Sequence, residues 1–280
     1  MTPARFPMDG KLTVDRGQPP LVSVIMNCLN CEKYLREAID SVFAQTYSAW
    51  EIIFWDNAST DCSGEIARSY GSRVRYFRGD ETVPLGAARD HAVRQAQGEY
   101  VAMLDCDDVW LPRNLAVQME MAQARPDLGM VYTDCFFIDS EGRTLGTWFS
   151  RYRPPADEDV LRRLLTGPNF IPCLSVLMRT AAVRKVGGFN HNFTYSEEYD
   201  LFLRLALEYR IAHIAEPLAK YRLHDANATG TGNPGTTRET IQILKQTRSR
   251  LSNLPWRDRL KIQKRLWELR VKLMLQSFGT

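Results

Sequence analysis

Gly98-Glu99-Tyr100-Val101-Ala102-Met103-Leu104-Asp105-Cys106-Asp107-Asp108 carries an apolar run straight into three carboxylates. Tyr100 to Leu104 has no charged side chain, so it reads as a strand buried on both faces, the habit of parallel sheets covered by helices. Gly98 closes the helix expected before it, Ala87 to Gln97. Three carboxylates within four residues repel one another unless a cation offsets them. A hard divalent ion, Mg2+ or Mn2+, meets that need, because such ions take carboxylate oxygens and are completed by water and substrate phosphates. For the run taken alone, the plainer alternative is a solvated acidic turn ahead of the helix that Pro112 opens.

Upstream, the same strand and helix unit recurs. Leu21 to Met26, between Pro20 and Asn27, is a buried strand, and Asn30 is placed to cap a helix whose apolar side chains recur at Tyr34, Leu35, Ala38, Ile39 and Val42. Glu51 to Trp55 is a second strand ending at Asp56, followed by a helix that Ser59-Thr60-Asp61 caps and that runs to Tyr70. Arg73 to Phe77 is a third strand. Downstream, a helix from Pro112 to Ala124, strands at Met130–Thr133 and Phe170–Met178, and an amphipathic helix over Glu197–Tyr209 are expected. Alternation of this kind predicts an α/β fold: a mostly parallel central sheet flanked by helices, with ligands at the carboxyl ends of the strands. Asp56 and Asp105 stand at such ends.

Charge divides the 280-residue chain unevenly. Residues 238–280 hold 11 Lys and Arg against 3 Asp and Glu, a net of +8, whereas the rest carries −5. The basic end suits an anionic membrane surface or glycan, and the acidic body argues against nucleic acid. There, Trp256, Leu260, Trp267, Val271, Met274 and Phe278 fall on one face of a helix with Arg and Lys around them. A helix packed on its own domain is the plainer reading of that stripe, and peripheral membrane contact is the other. Met1 to Pro20, polar and without an apolar core, reads as a flexible tail rather than a secretory leader, which sets the expectation of a cytoplasmic protein. The expected organisation is therefore a tail (1–20), an α/β unit (21–225), and a linker with basic helices (226–280). Six scattered cysteines form no disulfide framework. Cys28-Leu29-Asn30-Cys31 has redox spacing, but two small buried hydrophobes at a strand end is the preferred reading. The first strand also lacks the G-x-G-x-x-G turn of a nicotinamide enzyme.

Several polar residues suit one chemistry. Asp56 can accept hydrogen bonds from a base or ribose. Gly86-Ala87-Ala88-Arg89 brings a cation to a helix start, suited to a diphosphate. Glu197-Glu198-Tyr199-Asp200 opens a late helix with carboxylates that can serve as a general base, or simply complement the helix dipole. His224, after Tyr221-Arg222-Leu223, can reach a metal or a phosphate.

In this order, Val22–Ile25, Asn30, Trp55–Asp61, Gly86–Arg89, Gly98–Asp108, Glu197–Leu201 and Tyr221–His224 resemble the inverting family 2 glycosyltransferases of the GT-A fold. The resemblance spans Val22 to His224, and it implies that 21–225 is the glycosyltransferase domain, with a nucleotide-binding half at about 21–110 and an acceptor half at about 111–225. It implies transfer of a sugar from a nucleoside-diphosphate donor, UDP-linked by preference, to a hydroxyl of a glycan or lipid-linked glycan, with Mn2+ or Mg2+ as the cofactor. It sets Asn27, Cys28, Asn30, Asp56, Arg89 and Asp105 around the donor: Asp56 at the base, Arg89 near the nucleotide, Asp105 at the ribose or sugar. Asp107 and His224 take the metal, and Glu198 the catalytic base, with Glu197 and Asp200 as alternatives. Glu198 stands where Asp is usual, Asn27 where Pro is common, Asn57 where a second Asp is common, and Asp90 where Asn is common. A non-catalytic nucleotide-sugar or glycan binder on the same fold is the alternative.

Overall fold

A computed structural model describes residues 19–224, 233–251 and 254–277. Most of the expected tail, most of the Asn227–Thr237 linker and Phe278 lie outside the described residues.

The apolar runs form strands as their composition demands. β1 (Val22–Cys28), β2 (Trp50–Asp56), β3 (Val74–Arg78) and β4 (Tyr100–Met103) are mutually parallel, in the spatial order β3-β2-β1-β4. Between them run α1 (Glu32–Phe43), α2 (Ser63–Arg68) and α3 (Leu85–Gln95). Then come β5 (Val109–Trp110), α4 (Asn114–Ala124), β6 (Leu128–Ile138), β7 (Thr144–Thr147), α5 (Trp148–Arg151) and α6 (Val160–Thr166). β8 (Val176–Arg179), α7 (Thr180–Lys185), α8 (Glu197–Glu208), β9 (Arg210–Arg222), α9 (Pro234–Arg250) and α10 (Trp256–Ser277) follow. The sheet continues β4-β8-β6-β9-β5, with β7 on the side of β6. β8 is antiparallel to β4 and to β6, and β9 is parallel to β6, so β1 to β4, β6 and β9 all point the same way. The mostly parallel sheet expected from the alternation is present.

Side-chain alternation splits the core into two layers. Val22, Val24, Met26, Ile52 and Phe54 face one side, where Leu35 and Ile39 of α1 and Leu115 and Met119 of α4 cover them. Ile25, Ile53, Val101 and Met103 face the other, under Ala92 and Val93 of α3, Phe202 and Leu205 of α8, Ile243 of α9 and Ile262 of α10. Burying one such aliphatic side chain contributes roughly 1.5–3 kcal/mol, so each layer is strongly held.

Three expectations are corrected. Only the end of Phe170–Met178 is strand, because Pro172 accepts from Ser175 N (3.1 Å) and bends the chain through a turn before β8. Asn30 does not cap α1: Cys31 occupies that position, and Asn30 adopts φ +57° and reaches a neighbouring loop. The apolar stripe of α10 faces outward, with Trp256 67% and Trp267 64% exposed, and the helix packs through its opposite face, where Ile262 and Leu266 are buried. Arg265 fixes that face by donating to Leu164 O (2.5 Å) and to the Tyr199 hydroxyl (2.9 Å), and Arg162 pairs with Asp258 (2.9 Å).

Candidate active site

β1 and β2 end in register, Cys28 beside Asp56, so the loops that follow leave the sheet together. They are stitched by backbone groups at the two helix starts. Asn30 N donates to Ser59 Oγ (3.1 Å), Thr60 N to Asn30 Oδ1 (2.8 Å), Cys31 N to Ser63 Oγ (2.9 Å), Glu32 N to Asp61 Oδ2 (3.0 Å) and Cys62 N to Glu32 Oε2 (3.0 Å). Glu32 N, the first donor of α1, is thus satisfied from the other loop, whereas Ser63 N, the first of α2, is capped locally by Asp61 Oδ1 (3.0 Å). Asp56 is wholly enclosed: Ser59 N (2.7 Å), the Tyr76 hydroxyl (2.6 Å) and Arg78 Nη1 (2.5 Å) donate to it. Burial alone would raise its pKa, but these donors outweigh it and hold the carboxyl below the usual range. Asn57 both donates to Val83 O (2.9 Å) and accepts from Val83 N (3.1 Å), a double role that the Asp common at this position does not fill. Cys28 is buried, and neither amide atom of Asn27 has a hydrogen-bond partner among the described residues.

Arg89 does not project as an open cation. It is 3% exposed, and its two arms donate to Asp105 Oδ1 at the end of β4 (2.7 Å) and Glu197 Oε1 at the start of α8 (2.5 Å). Burial opposes its charge, but Asp105 first and then other anionic neighbours, Glu197 among them, outweigh it and raise its pKa. Gly86 makes this bridge geometrically attainable. A Cβ there would stand 2.2 Å from Asn190 O and 2.7 Å from Phe193 O, so only glycine lets α3 start against the segment leading into α8. Asp90, one residue past Arg89, holds the same segment through His191 Nε2 (2.7 Å) and also meets Arg94 (2.7 Å).

At the acidic turn, Asp107 Oδ2 lies 2.9 Å from His224 Nε2, and both side chains are partly open to solvent. Asp108 is buried and accepts from Arg222 N (2.8 Å), and its Oδ2 has no partner among the described residues. Arg222 also donates to Asp107 O (2.9 Å) and Glu37 Oε2 (2.6 Å) and lies over the Tyr34 ring (4.4 Å), which neighbours the His224 ring. Burial and then Asp105 raise the Asp107 pKa, with His224 opposing. A carboxylate and an imidazole converging at an accessible edge, under repulsion from a second carboxylate, are a donor pair that fits a hard divalent cation whose other positions are filled by water and phosphate oxygens.

α8 presents three carboxylates with different surroundings. Glu197 is bound to Arg89, and Asp200 takes two donations from Arg204, at 2.8 and 2.6 Å. Glu198 is half-buried, and the Asn169 amide approaches it at a long 3.4 Å. Burial pushes its pKa above the ordinary glutamate range, with Arg89 pulling the other way. The start of α8 is organised from a distance: Glu239 of α9 accepts from Thr194 N (2.9 Å), Tyr195 N (2.8 Å) and Ser196 N (2.8 Å). Sequence reasoning missed Glu239, Asn169, Arg222 and Tyr34. Of these, only Arg222 carried a signal, as the residue two before His224.

A profile of Glycosyl transferase family 2 matches residues 23–184. The chain belongs to that family, and it is a glycosyltransferase enzyme with the GT-A fold. An uncharacterised glycosyltransferase of Rickettsia typhi is 32% identical over 217 residues, covering 76% of this chain and 67% of the relative. Among solved structures, TarS of S. aureus in complex with UDP-GlcNAc superposes with a TM-score of 0.69 at 18% identity, covering 86% of this chain and 70% of that one. The mannosyltransferase PcManGT of Pyrobaculum calidifontis, in complex with GDP-Man and Mn2+, gives 0.68 at 18% identity over 92% and 73% of the two chains. Both likenesses are of fold.

Proposed function

We propose that this chain transfers a sugar, with inversion, from a nucleoside-diphosphate donor, UDP-linked by preference, to a hydroxyl of a glycan or lipid-linked glycan, as in cell-surface polysaccharide synthesis. One observation carries this reading. Of six carboxylates in the two acidic runs, four are tied to arginine groups, and Asp107 and Glu198 are the two left for chemistry.

In the proposed reaction, Glu198 takes the proton of the acceptor hydroxyl as its oxygen attacks the anomeric carbon, and the diphosphate departs from the opposite face. A raised pKa makes Glu198 a stronger base once ionised. Asp105, fixed by Arg89, orients the donor sugar or ribose, and Arg89 keeps Glu197 and the start of α8 at a constant distance from it. Asn27, Cys28, Asn30 and Asp56 shape the loops that receive the base, Asp56 by holding the turn at 57–59. Asp107 and His224 hold the divalent cation. When bound, Mn2+ or Mg2+ supplies positive charge against that growing on the leaving diphosphate. The nucleotide complexes of TarS and PcManGT support the donor class and, for the latter, the metal.

The outward stripe Trp256, Leu260, Trp267 and Met274, with Arg257, Lys261, Lys264 and Arg270 alongside, supports peripheral contact with an anionic membrane face, where a lipid-linked acceptor resides. Among the described residues no helix is long and apolar enough to cross a membrane. The test of the whole reading is a binding and turnover screen of nucleotide sugars with and without Mn2+. One donor should bind in a metal-dependent way and release its nucleoside diphosphate when acceptor is added. Metal-dependent binding without release across a broad acceptor panel would favour a non-catalytic binder. For the membrane part, Trp256→Ser with Trp267→Ser should abolish co-sedimentation with anionic vesicles while leaving soluble-donor binding intact.

A further inference from the structure

The thiols of Cys28, Cys31 and Cys106 meet at one point beneath the acidic turn. Their sulfurs all lie within 4.8 Å of one another, yet Cys28 and Cys31 come from the junction of β1 with α1, and Cys106 from the turn after β4. Cys106 sits between Asp105 and Asp107 in sequence but turns inward: it is 2% exposed and its Sγ lies 3.2 Å from Asn27 O. Cys28 is buried with its Sγ 3.7 Å from Ser59 Oγ. Cys31 is the half-open member, its Sγ 3.6 Å from Leu29 O, and it provides an entry path. All three are free thiols.

We propose that Cys28, Cys31 and Cys106 form a second cation site, one that takes a thiophilic divalent ion of the zinc class and is separate from the oxygen site at Asp107. Around tetrahedral zinc, with Zn–S bonds of about 2.3 Å, ligand sulfurs lie about 3.8 Å apart. The three sulfurs therefore reach bonding geometry by drawing together by about 1 Å or less, a rotamer-scale movement. Ligand chemistry separates the two sites. Thiolates select soft or borderline ions, whereas Mg2+ and Mn2+ take the carboxylate and water oxygens outside. Charge favours a dication, since three thiolates leave −1 with Zn2+ but −2 with a monovalent ion beside Asp105 and Asp107. On binding, three thiol protons leave to solvent and a water fills the fourth position. The ion would pin the turn that carries Asp105 and Asp107 to the end of β1, and so lock the two carboxylates to the loops that Asp56 organises. The site stands on the thiols alone and does not depend on the proposed transfer reaction.

The test uses the full chain, reduced with a phosphine, in excess Mg2+, and titrated with Cd2+ as a spectroscopic stand-in for Zn2+. Thiolate-to-cadmium charge-transfer absorption should saturate at one ion per chain, and Zn2+ should displace it. Cys31→Ser, at the half-open position where folding is least at risk, should weaken binding by about 100-fold, as should Cys28→Ser. Cys62→Ser and Asp107→Asn should leave the absorption unchanged. Absence of the band in the folded wild type, unchanged cadmium affinity in Cys31→Ser, or loss of the band in Asp107→Asn would overturn the assignment.

Discussion

The two acidic runs are built alike and end up unlike what their sequences suggest. Asp105, Asp107 and Asp108 follow β4, and Glu197, Glu198 and Asp200 open α8. Each packs three carboxylates into four residues, and in each run two are immobilised. After β4, Arg89 holds Asp105 and the main-chain amide of Arg222 holds Asp108; at the start of α8, Arg89 holds Glu197 and Arg204 holds Asp200. What remains is one carboxylate per run, each facing a weaker partner: His224 for Asp107 and Asn169 for Glu198. A crowded acidic motif is thus mostly scaffold, and the proposed function assigns the chemistry to the members that arginine side chains and the main chain leave over. Arg89 serves both runs at once, so the distance between Asp105 and Glu197 is set by one guanidinium.

The proposed division of labour breaks most sharply at Glu198. Glu198→Gln is expected to lower kcat by about 10²–10⁴-fold with donor affinity unchanged, whereas Asp200→Asn, which loses half of an ion pair with Arg204, should chiefly lower the unfolding midpoint. Steady-state kinetics beside thermal melts separates them, and a Glu198→Gln enzyme with wild-type turnover would end the assignment. The pH dependence sharpens the same point. A general base must be ionised, and burial raises the pKa of Glu198, so kcat/KM should fall as pH drops through a value above the ordinary glutamate pKa of about 4.3. That acid limb should vanish in Glu198→Gln. On the donor side, Asp107→Ala is expected to cost about 10²–10³-fold in turnover and to abolish metal dependence, which metal titration of the variant would check.

A smaller effect is expected where the two runs are held in place. Glu239→Ala removes the acceptor for three amides ahead of α8 and should cost about 1–3 kcal/mol of stability, measured by denaturant unfolding, with kcat falling more than donor affinity. The smallest concerns Ala58, which sits at φ +66° in the turn after β2. Left-handed geometry costs a non-glycine residue about 1–2 kcal/mol, so Ala58→Gly should stabilise the fold by up to about 1 kcal/mol after the added chain entropy is counted.

Much of the fold up to about residue 110 was legible in sequence because β1, β2 and β4 are mainly apolar runs that lead into a polar residue, and strand ends in a parallel sheet mark the ligand edge. β9 was not legible. Arg210–Arg222 mixes charges with Pro217, and the strand is held by a long parallel pairing with β6 that absorbs register shifts near Asp134. In the candidate site, the order of the motifs was readable, but the partnerships were not. Arg89 meets Glu197 across 108 positions, and Glu239 meets Ser196 from a helix that composition marked only as basic and amphipathic. Local pattern reports which residues carry charge; it does not report which charges cancel.

Glu239 also changes what counts as a boundary. By composition the chain divides near residue 226, yet the carboxylate that steadies the start of α8 lies beyond that point. A chain cut there would keep every strand of the sheet and every acidic motif while leaving three main-chain donors facing water. The last two helices act as a splint on α8, and the smallest unit that keeps its geometry includes them.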